Sequence, residues 1–282
     1  MTGASGAHED ALLGEVLAAF ADAPDRRLAT LITRLVEHLH AYAREVELTA
    51  AERRTAIDFL TAVGQVSGPA RQEFEMLSDV LGVSSLVETM GSADEATLQT
   101  LTGPFYVPGA PERAFGESMV ERSGGGTPAV LEGRVTGADG EPIAGAVLDV
   151  WQNAENQLYA VQDPDQPEGN LRGRYLTRDD GRYEIRTIRP VPYRIPEDGP
   201  VGALLRQTNR HPWRAAHIHM IVTHPDYVRL TTEVFDADSD YLDSDAVFGV
   251  APELVRSFAE ERGTLRTRFD IVLAADRARA AR

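Results

Sequence analysis

Apolar positions in the first hundred residues recur at intervals of three and four. Leu12, Leu13, Val16 and Leu17 make one stripe and Leu28, Leu31, Ile32, Leu35, Val36 and Leu39 a second, which predicts two amphipathic helices. Thr49 followed by Glu52 is a capping-box pattern ahead of Ile57, Leu60 and Val63, and Ser92 with Glu95 repeats it ahead of Leu98 and Leu101. Between them, Phe74, Leu77, Val80, Leu81, Val83 and Leu86 predict one more helix, bent near Gly82. Residues 1–102 are therefore expected to be an all-α domain.

From residue 103 Gly and Pro become frequent, and Ser123-Gly124-Gly125-Gly126-Thr127-Pro128 reads as a boundary loop. Runs rich in Val, Ile, Tyr and Thr follow at Ala129–Val135, Ala146–Trp151, Arg182–Ile188, Ala216–Val222, Leu230–Phe235 and Arg268–Leu273. Asp139-Gly140 and Asp180-Gly181 sit between such runs as hairpin turn signals. Short strands joined by Gly, Pro and Asp turns predict an antiparallel sandwich or barrel over residues 103–282, so the whole chain reads as α+β.

Composition narrows the chemistry. With 28 Lys+Arg against 44 Asp+Glu the net charge is 28 − 44 = −16, which repels a phosphate backbone and an anionic membrane surface alike. Neither nucleic acid nor membrane is expected as a partner. The chain has no Cys, which excludes disulfides, thiolate catalysis and Cys-ligated metal centres, and leaves His, carboxylates and Tyr to hold any metal. The opening MTGASGAHED has neither a basic stretch nor an apolar run, and no segment approaches the roughly 20 apolar residues of a membrane span. The chain reads as soluble and cytoplasmic.

The sharpest local feature is His217-Ile218-His219. Alternation along a strand points both imidazoles to one face about 7 Å apart, as two ligands of one metal require and as a pair of hydrogen-bonded core histidines also allows. Tyr159 ends a polar run, and Tyr193 lies between Pro192 and Pro196, where prolines stiffen the backbone. Either could be a packing tyrosine with a bonded hydroxyl. As phenolates, the pair with two imidazoles would suit ferric iron better than zinc, calcium or magnesium. Asp236, Asp238 and Asp240 begin like a calcium loop, but Tyr241 and Val247 occupy the positions of its Gly and Glu, so these acids read as a solvated loop. Arg214 stands three residues before His217 and reads either as a salt-bridge partner or, beside a metal, as a catalyst. No phosphate-cradling loop, dinucleotide fingerprint or serine elbow is present. Two other readings stand beside a ferric centre: a ferrous triad of His217, His219 and Glu233, and a non-catalytic prealbumin-like binding module suggested by residues 133–143.

Together these residues closely resemble the intradiol ring-cleavage dioxygenases. The resemblance runs in order from Leu77-Ser78-Asp79-Val80-Leu81-Gly82 through Gly103-Pro104-Phe105-Tyr106, Val150-Trp151-Gln152, Tyr159, Tyr193 and Arg214-Ala215-Ala216-His217-Ile218-His219 to Leu230-Thr231-Thr232. Asp198–Gly202, His211-Pro212-Trp213 and Tyr241–Val250 look most like the hydroxyquinol 1,2-dioxygenase branch, with the catechol 1,2-dioxygenase branch its near neighbour. The resemblance implies a helical dimerisation domain at residues 1–102, a β-sandwich catalytic domain at 103–282, and a lipid as a possible guest at the homodimer interface. It implies Fe(III) held by Tyr159, Tyr193, His217 and His219, with a hydroxide in the fifth position. Ferric iron, two phenolates and one hydroxide sum to zero charge, which suits a buried site.

By the same analogy hydroxide and Tyr193 leave the metal when a catechol chelates, taking its two protons, while Tyr159 stays and dioxygen attacks the ring. Arg214 is then placed to stabilise negative charge on the ring. The implied pocket wall is Met76, Asp79, Leu101, Gly103, Pro104, Phe105, Ile195, Pro196 and Val247. Asp79 is its one carboxylate, suited to a third ring hydroxyl or, alternatively, to capping its own helix. The catechol branch has an amide side chain where this chain has Glu233, which either faces the iron or faces solvent on an alternating strand.

Overall fold

In a computed structural model, residues 3–68, 71–122, 124–261 and 263–276 are described; Ser123 of the expected boundary loop lies outside them. The chain divides into two compact units, Met1–Ala62 and Val63–Arg282.

In the first unit α1 (Gly3–Ala21) and α2 (Arg26–Glu45) pack together, and Arg44 pairs with Glu9 at 3.4 Å and Asp10 at 2.8 Å. Asp25 caps α2 by accepting from the N–H groups of Arg27 and Leu28. α3 (Ala50–Val66) begins with the expected capping box: Thr49 N–H donates to Glu52 at 2.8 Å, and Glu52 N–H to the Thr49 hydroxyl at 3.2 Å.

The second unit opens on α4 (Glu73–Val80) and α5 (Val83–Gly91). The single bent helix expected here is two helices, because Gly82 takes the left-handed conformation at φ 72°. The helix expected after Ser92 does not form. The Ser92 hydroxyl accepts from Gln99 N–H, while Thr97 and Thr100 N–H groups donate to the Val272 and Thr231 carbonyls, so the sheets take the hydrogen bonds that a helix would have used.

Two five-stranded sheets follow. One holds β1 (Pro128–Gly137), β4 (Arg182–Ile188), β10 (Ala259–Glu261), β11 (Thr264–Arg268) and β12 (Ile271–Leu273). The other runs in the order β3 (Arg172–Leu176), β2 (Val147–Trp151), β7 (His217–His224), β8 (Tyr227–Asp236), β9 (Val255–Arg256). A short pair, β5 (Tyr193–Arg194) and β6 (Trp213–Arg214), flanks the helix α6 (Pro200–Gln207) in sequence. Most pairings are antiparallel, but β1 runs parallel to both β11 and β12, and β8 to β9. Asp139-Gly140 and Asp180-Gly181 do make turns, with both glycines at positive φ. Asp139-Gly140 closes a short antiparallel turn in which Thr136 is bridged to Pro142, and beyond each turn the chain passes from one sheet to the other.

Leu131 and Val135 of β1, Leu148 and Val150 of β2, Ile218, Met220 and Val222 of β7, and Val234 of β8 fill one core. Alternation on β7 then sends His217, His219 and Ile221 to the opposite face, where they too are buried. Asp236 is not in a solvated loop; it ends β8, 2% exposed, and is bound by Arg189.

Gly181 combines φ 76° with a hypothetical Cβ 2.5 Å from the Val135 carbonyl oxygen. Gly181→Ala is expected to destabilise the second unit by about 1–3 kcal/mol in urea unfolding; a loss within error would show that this turn is not under the constraint described.

Candidate metal centre

The strand register places His219 between Trp151 of β2 and Glu233 of β8. Its ring stacks on Trp151 at 4.8 Å and 3°. The His217 ring stands edge-on to it at 4.6 Å, and the two Nε2 atoms are 3.0 Å apart. The Ala215 carbonyl lies 2.6 Å from His217 Nδ1; a carbonyl can only accept, so Nδ1 carries the proton and Nε2 keeps its lone pair for the site. Tyr193 on β5 pairs across the strands with Arg214 on β6, and its ring lies 5.5 Å from His217. Tyr159 meets Tyr193 edge-on at 5.3 Å and lies 6.3 Å from His219. All four rings are buried.

Arg214 is 2% exposed and points inward. Its Nη1 lies 2.9 Å from Glu233 Oε1 and its Nε 3.3 Å from Asp245 Oδ1. Asp245 also accepts the N–H groups of Ala215 at 3.1 Å and Gly249 at 2.9 Å. Gly249 is required here, since a Cβ would come 2.7 Å from Arg214 Nη2. Glu233 does not face solvent: it is 0% exposed, with Oε1 3.3 Å from His217 Nε2 and 3.2 Å from His219 Nδ1.

Electrostatics follow from burial. Desolvation, aided by the Arg214 charge, holds both histidines well below their ordinary pKa, so both are neutral with a lone pair to give. Desolvation likewise raises both tyrosines, Tyr159 furthest with Tyr193 beside it, and Arg214 counters part of the rise at Tyr193. Burial pushes Glu233 up to about 6 against the pull of Arg214. Burial also opposes the Arg214 charge, but Asp245 and Glu233 outweigh it.

Protein atoms alone leave this cluster incompletely satisfied. The Tyr159 hydroxyl, His219 Nδ1, Glu233 Oε2 and Arg214 Nη2 are buried without a hydrogen-bond partner. A cation fits here. Two imidazole nitrogens about 2.1 Å from one ion and at a right angle stand about 3.0 Å apart, as Nε2 of His217 and His219 do. Among the described residues, His217, His219 and Glu233 also form a carboxylate–histidine group with ligand atoms within 4.8 Å of one another.

The expected wall residues fall into two groups. A Cβ on Gly103, at φ 70°, would touch His219 Cε1 at 3.5 Å, and Phe105 stacks on Tyr159 at 4.9 Å. The Leu101 backbone interacts with His219, and Asp79 lies within electrostatic reach of Arg214. Met76 is buried on α4 one turn before Asp79; Ile195 is buried and Pro196 half-buried after Tyr193; Val247 is buried and accepts from the Ser85 hydroxyl; Pro104 is exposed. Asp79 does not cap its helix: its Oδ1 is buried and unpartnered.

Two family models match, "Dioxygenase" over residues 101–275 and "Catechol dioxygenase N terminus" over residues 25–98. The chain belongs to the intradiol ring-cleavage dioxygenases. Members of this family are enzymes, and this one is 47% identical, over 92% of its length and 94% of the relative's, to a 6-chlorohydroxyquinol 1,2-dioxygenase of Cupriavidus pinatubonensis. The solved hydroxyquinol 1,2-dioxygenase of Pseudomonas putida superposes with a TM-score of 0.90 at 44% identity, covering 96% of this chain and 100% of that one. A catechol 1,2-dioxygenase from Pseudomonas arvilla follows at 0.79 and 28% identity, covering 95% of this chain and 91% of that one.

Within this dioxygenase the sequence reading missed two neighbours of the site. Asp245 was legible only as part of a loop run, and the stack of Trp151 on His219 depends on a strand register that spacing does not reveal.

Burial raises Asp79 from 3.8 to about 6. The folded chain thus binds this proton more tightly than the unfolded chain, so Asp79 costs nothing below about pH 4, destabilises the fold increasingly between about pH 4 and 6, and costs a constant amount above that. Asp79→Asn is expected to be more stable than the parent at pH 7.5, by up to about 3 kcal/mol, with the difference vanishing near pH 4. Denaturant unfolding at both pH values would show a pH-independent difference if the carboxyl were not desolvated.

Proposed function

We propose that this dioxygenase opens hydroxyquinol (benzene-1,2,4-triol) between its adjacent hydroxyl-bearing carbons with dioxygen, giving 3-hydroxy-cis,cis-muconate and, by tautomerisation, maleylacetate. The observation that carries the reading is the convergence of two buried tyrosines on two buried neutral histidines, with the Tyr159 hydroxyl unpartnered. The relatives named for hydroxyquinol substrates favour the triol over catechol, which is the alternative substrate.

Tyr159, Tyr193, His217 and His219 would hold Fe(III), which when bound supplies a Lewis acid that draws electron density from a chelated ring. Tyr193 would be the proton acceptor, its phenolate oxygen taking a substrate hydroxyl proton. Arg214, fixed by Glu233 and Asp245, stabilises negative charge on the ring. Asp79 accepts a hydrogen bond from the third hydroxyl with its unpartnered oxygen. Met76, Leu101, Phe105, Ile195 and Val247 make the water-excluding apolar wall, Gly103 admits the ring beside His219, and Pro104 and Pro196 stiffen the rim. The position of Glu233 favours one second reading, a ferrous centre of His217, His219 and Glu233.

Iron content and the visible spectrum, before and after anaerobic addition of hydroxyquinol and then catechol, separate these readings. A phenolate-to-ferric band that shifts on binding, at lower concentrations of hydroxyquinol than of catechol, is expected; Tyr193→Phe should move the band and strongly impair turnover. An iron-bearing but colourless protein would favour the ferrous triad, and an iron-free protein that cannot be reconstituted a binding module.

The same reading pairs two chains through the N-terminal helices in the cytoplasm. Among the described residues, no helix is long and apolar enough to cross a membrane. Leu28, Leu31, Leu35, Leu39 and Tyr42 of α2 line one stripe, each about half exposed, and Leu12, Val16, Val36 and Leu39 line a groove of about 640 Å³ between α1 and α2 that suits an acyl chain. Light scattering should give a dimer, and replacing Leu31 and Leu35 together by Lys should give monomers; a monomeric parent would remove the pairing.

A further inference from the structure

The buried charges around the imidazoles do not balance. One guanidinium, Arg214, is shared between two carboxylates, Glu233 and Asp245, and all three side chains are at most 3% exposed. Of the two, Glu233 is the one that faces the histidines, with a single oxygen 3.3 Å from His217 Nε2 and 3.2 Å from His219 Nδ1. Its second oxygen lies toward Gly249 without a hydrogen-bond partner, so Arg214 compensates this carboxylate through one oxygen only, the guanidinium being shared with Asp245. At 0% exposure it is shielded from bulk solvent, and a unit charge at such range in a low-dielectric interior acts strongly on a neighbouring ion.

We propose that Glu233 is a positioning and potential-setting residue that holds the metal in its higher oxidation state against its own substrate. The inference rests on the ferric reading above. A benzenetriol carries three electron-donating oxygens, one more than catechol, and gives up an electron correspondingly more easily. If one electron passed from the chelated ring to the ferric ion, the products would be a ferrous ion and a ring radical, and intradiol cleavage would stop. An added buried negative charge disfavours that reduction, because the ferrous ion gains less than the ferric ion from its field. An uncharged amide at the same place would still bond Arg214 but would not oppose reduction.

The test is the midpoint potential of the iron-loaded full-length enzyme, followed through its visible band in a spectroelectrochemical titration. Glu233→Gln should keep the band and raise the potential, with the reduction equilibrium shifted at least about tenfold, or about 59 mV for one electron. Anaerobic hydroxyquinol should then bleach the variant and leave the parent coloured. Glu233→Asp, which keeps the charge, should return the potential toward that of the parent. An unchanged potential in Glu233→Gln with the band intact overturns the proposal while leaving the ferric site standing; a parent without a phenolate band overturns the ferric reading itself. Should Glu233→Gln fail to hold iron, Asp245→Asn removes the other carboxylate from Arg214 without touching the imidazoles, and an unchanged potential there overturns the charge balance argued here.

Discussion

A guanidinium buried between two carboxylates organises everything around it. Taking each of these charges out of water costs several kcal/mol, which the ion pairs and the backbone bonds to Asp245 offset even though Glu233 Oε2 and Arg214 Nη2 stay unpartnered. Arg214 reaches Glu233 on β8 and Asp245 in the following loop, and Asp245 in turn binds the backbone at Ala215 and Gly249. The loop that carries Asp245 is itself under strain, with Tyr241 and Phe248 both in the left-handed region at φ 68° and 57°. The ion triad holds it, together with the bonds from Arg210 to the Ala246 carbonyl and from Ser85 to the Val247 carbonyl, and Gly249 allows the close approach of Arg214.

That frame explains why neutral residues can sit in a dry pocket ready for a cation. Histidines held below their ordinary pKa and tyrosines held above theirs are the forms that burial selects when no metal is present. A bound metal cation would reverse the preference at the tyrosines without asking anything new of the histidines. Preorganisation costs stability, and the unpartnered Tyr159 hydroxyl, Glu233 Oε2 and Arg214 Nη2 mark where that cost lies.

Much of this was legible in the chain. The histidine pair could be read because a strand has period two, the helical and β-rich regions from apolar stripes and from Val, Ile, Tyr and Thr runs, and the family from the order of motifs from Leu77 to Thr232. What was not legible came from pairing between distant segments. The pattern at Ser92 and Glu95 is a sound helix start, yet Thr97 and Thr100 bond to strands far along the chain, and tertiary hydrogen bonds overrode the local signal. β3 and β11 lack a strong periodic stripe, and α6 carries only the short stripe Val201, Leu204 and Leu205 behind Pro200; none of the three was anticipated. The two Asp-Gly turns were legible, and at Asp139-Gly140 the antiparallel closure forms, but a turn specifies a change of direction and not which sheet receives the next strand. The orientation of Glu233 depends on register in the same way: one residue of slip between β7 and β8 would have turned it to the other face.

The parallel pairing of β1 with β11 and β12 has a bearing on how the protein is made. Ala129 pairs with Leu265 and Val135 with Ile271, so a strand in the middle of one sheet stays half unpaired until residues 264–273 have left the ribosome. The strands of the histidine pair and Glu233 emerge earlier, but one face of β7 has to pack on that unfinished sheet. Translation therefore exposes a growing run of apolar strands that only the last segment closes, and a stalled or shortened chain would present to chaperones and proteases a sandwich with all its chemistry in place and one layer open.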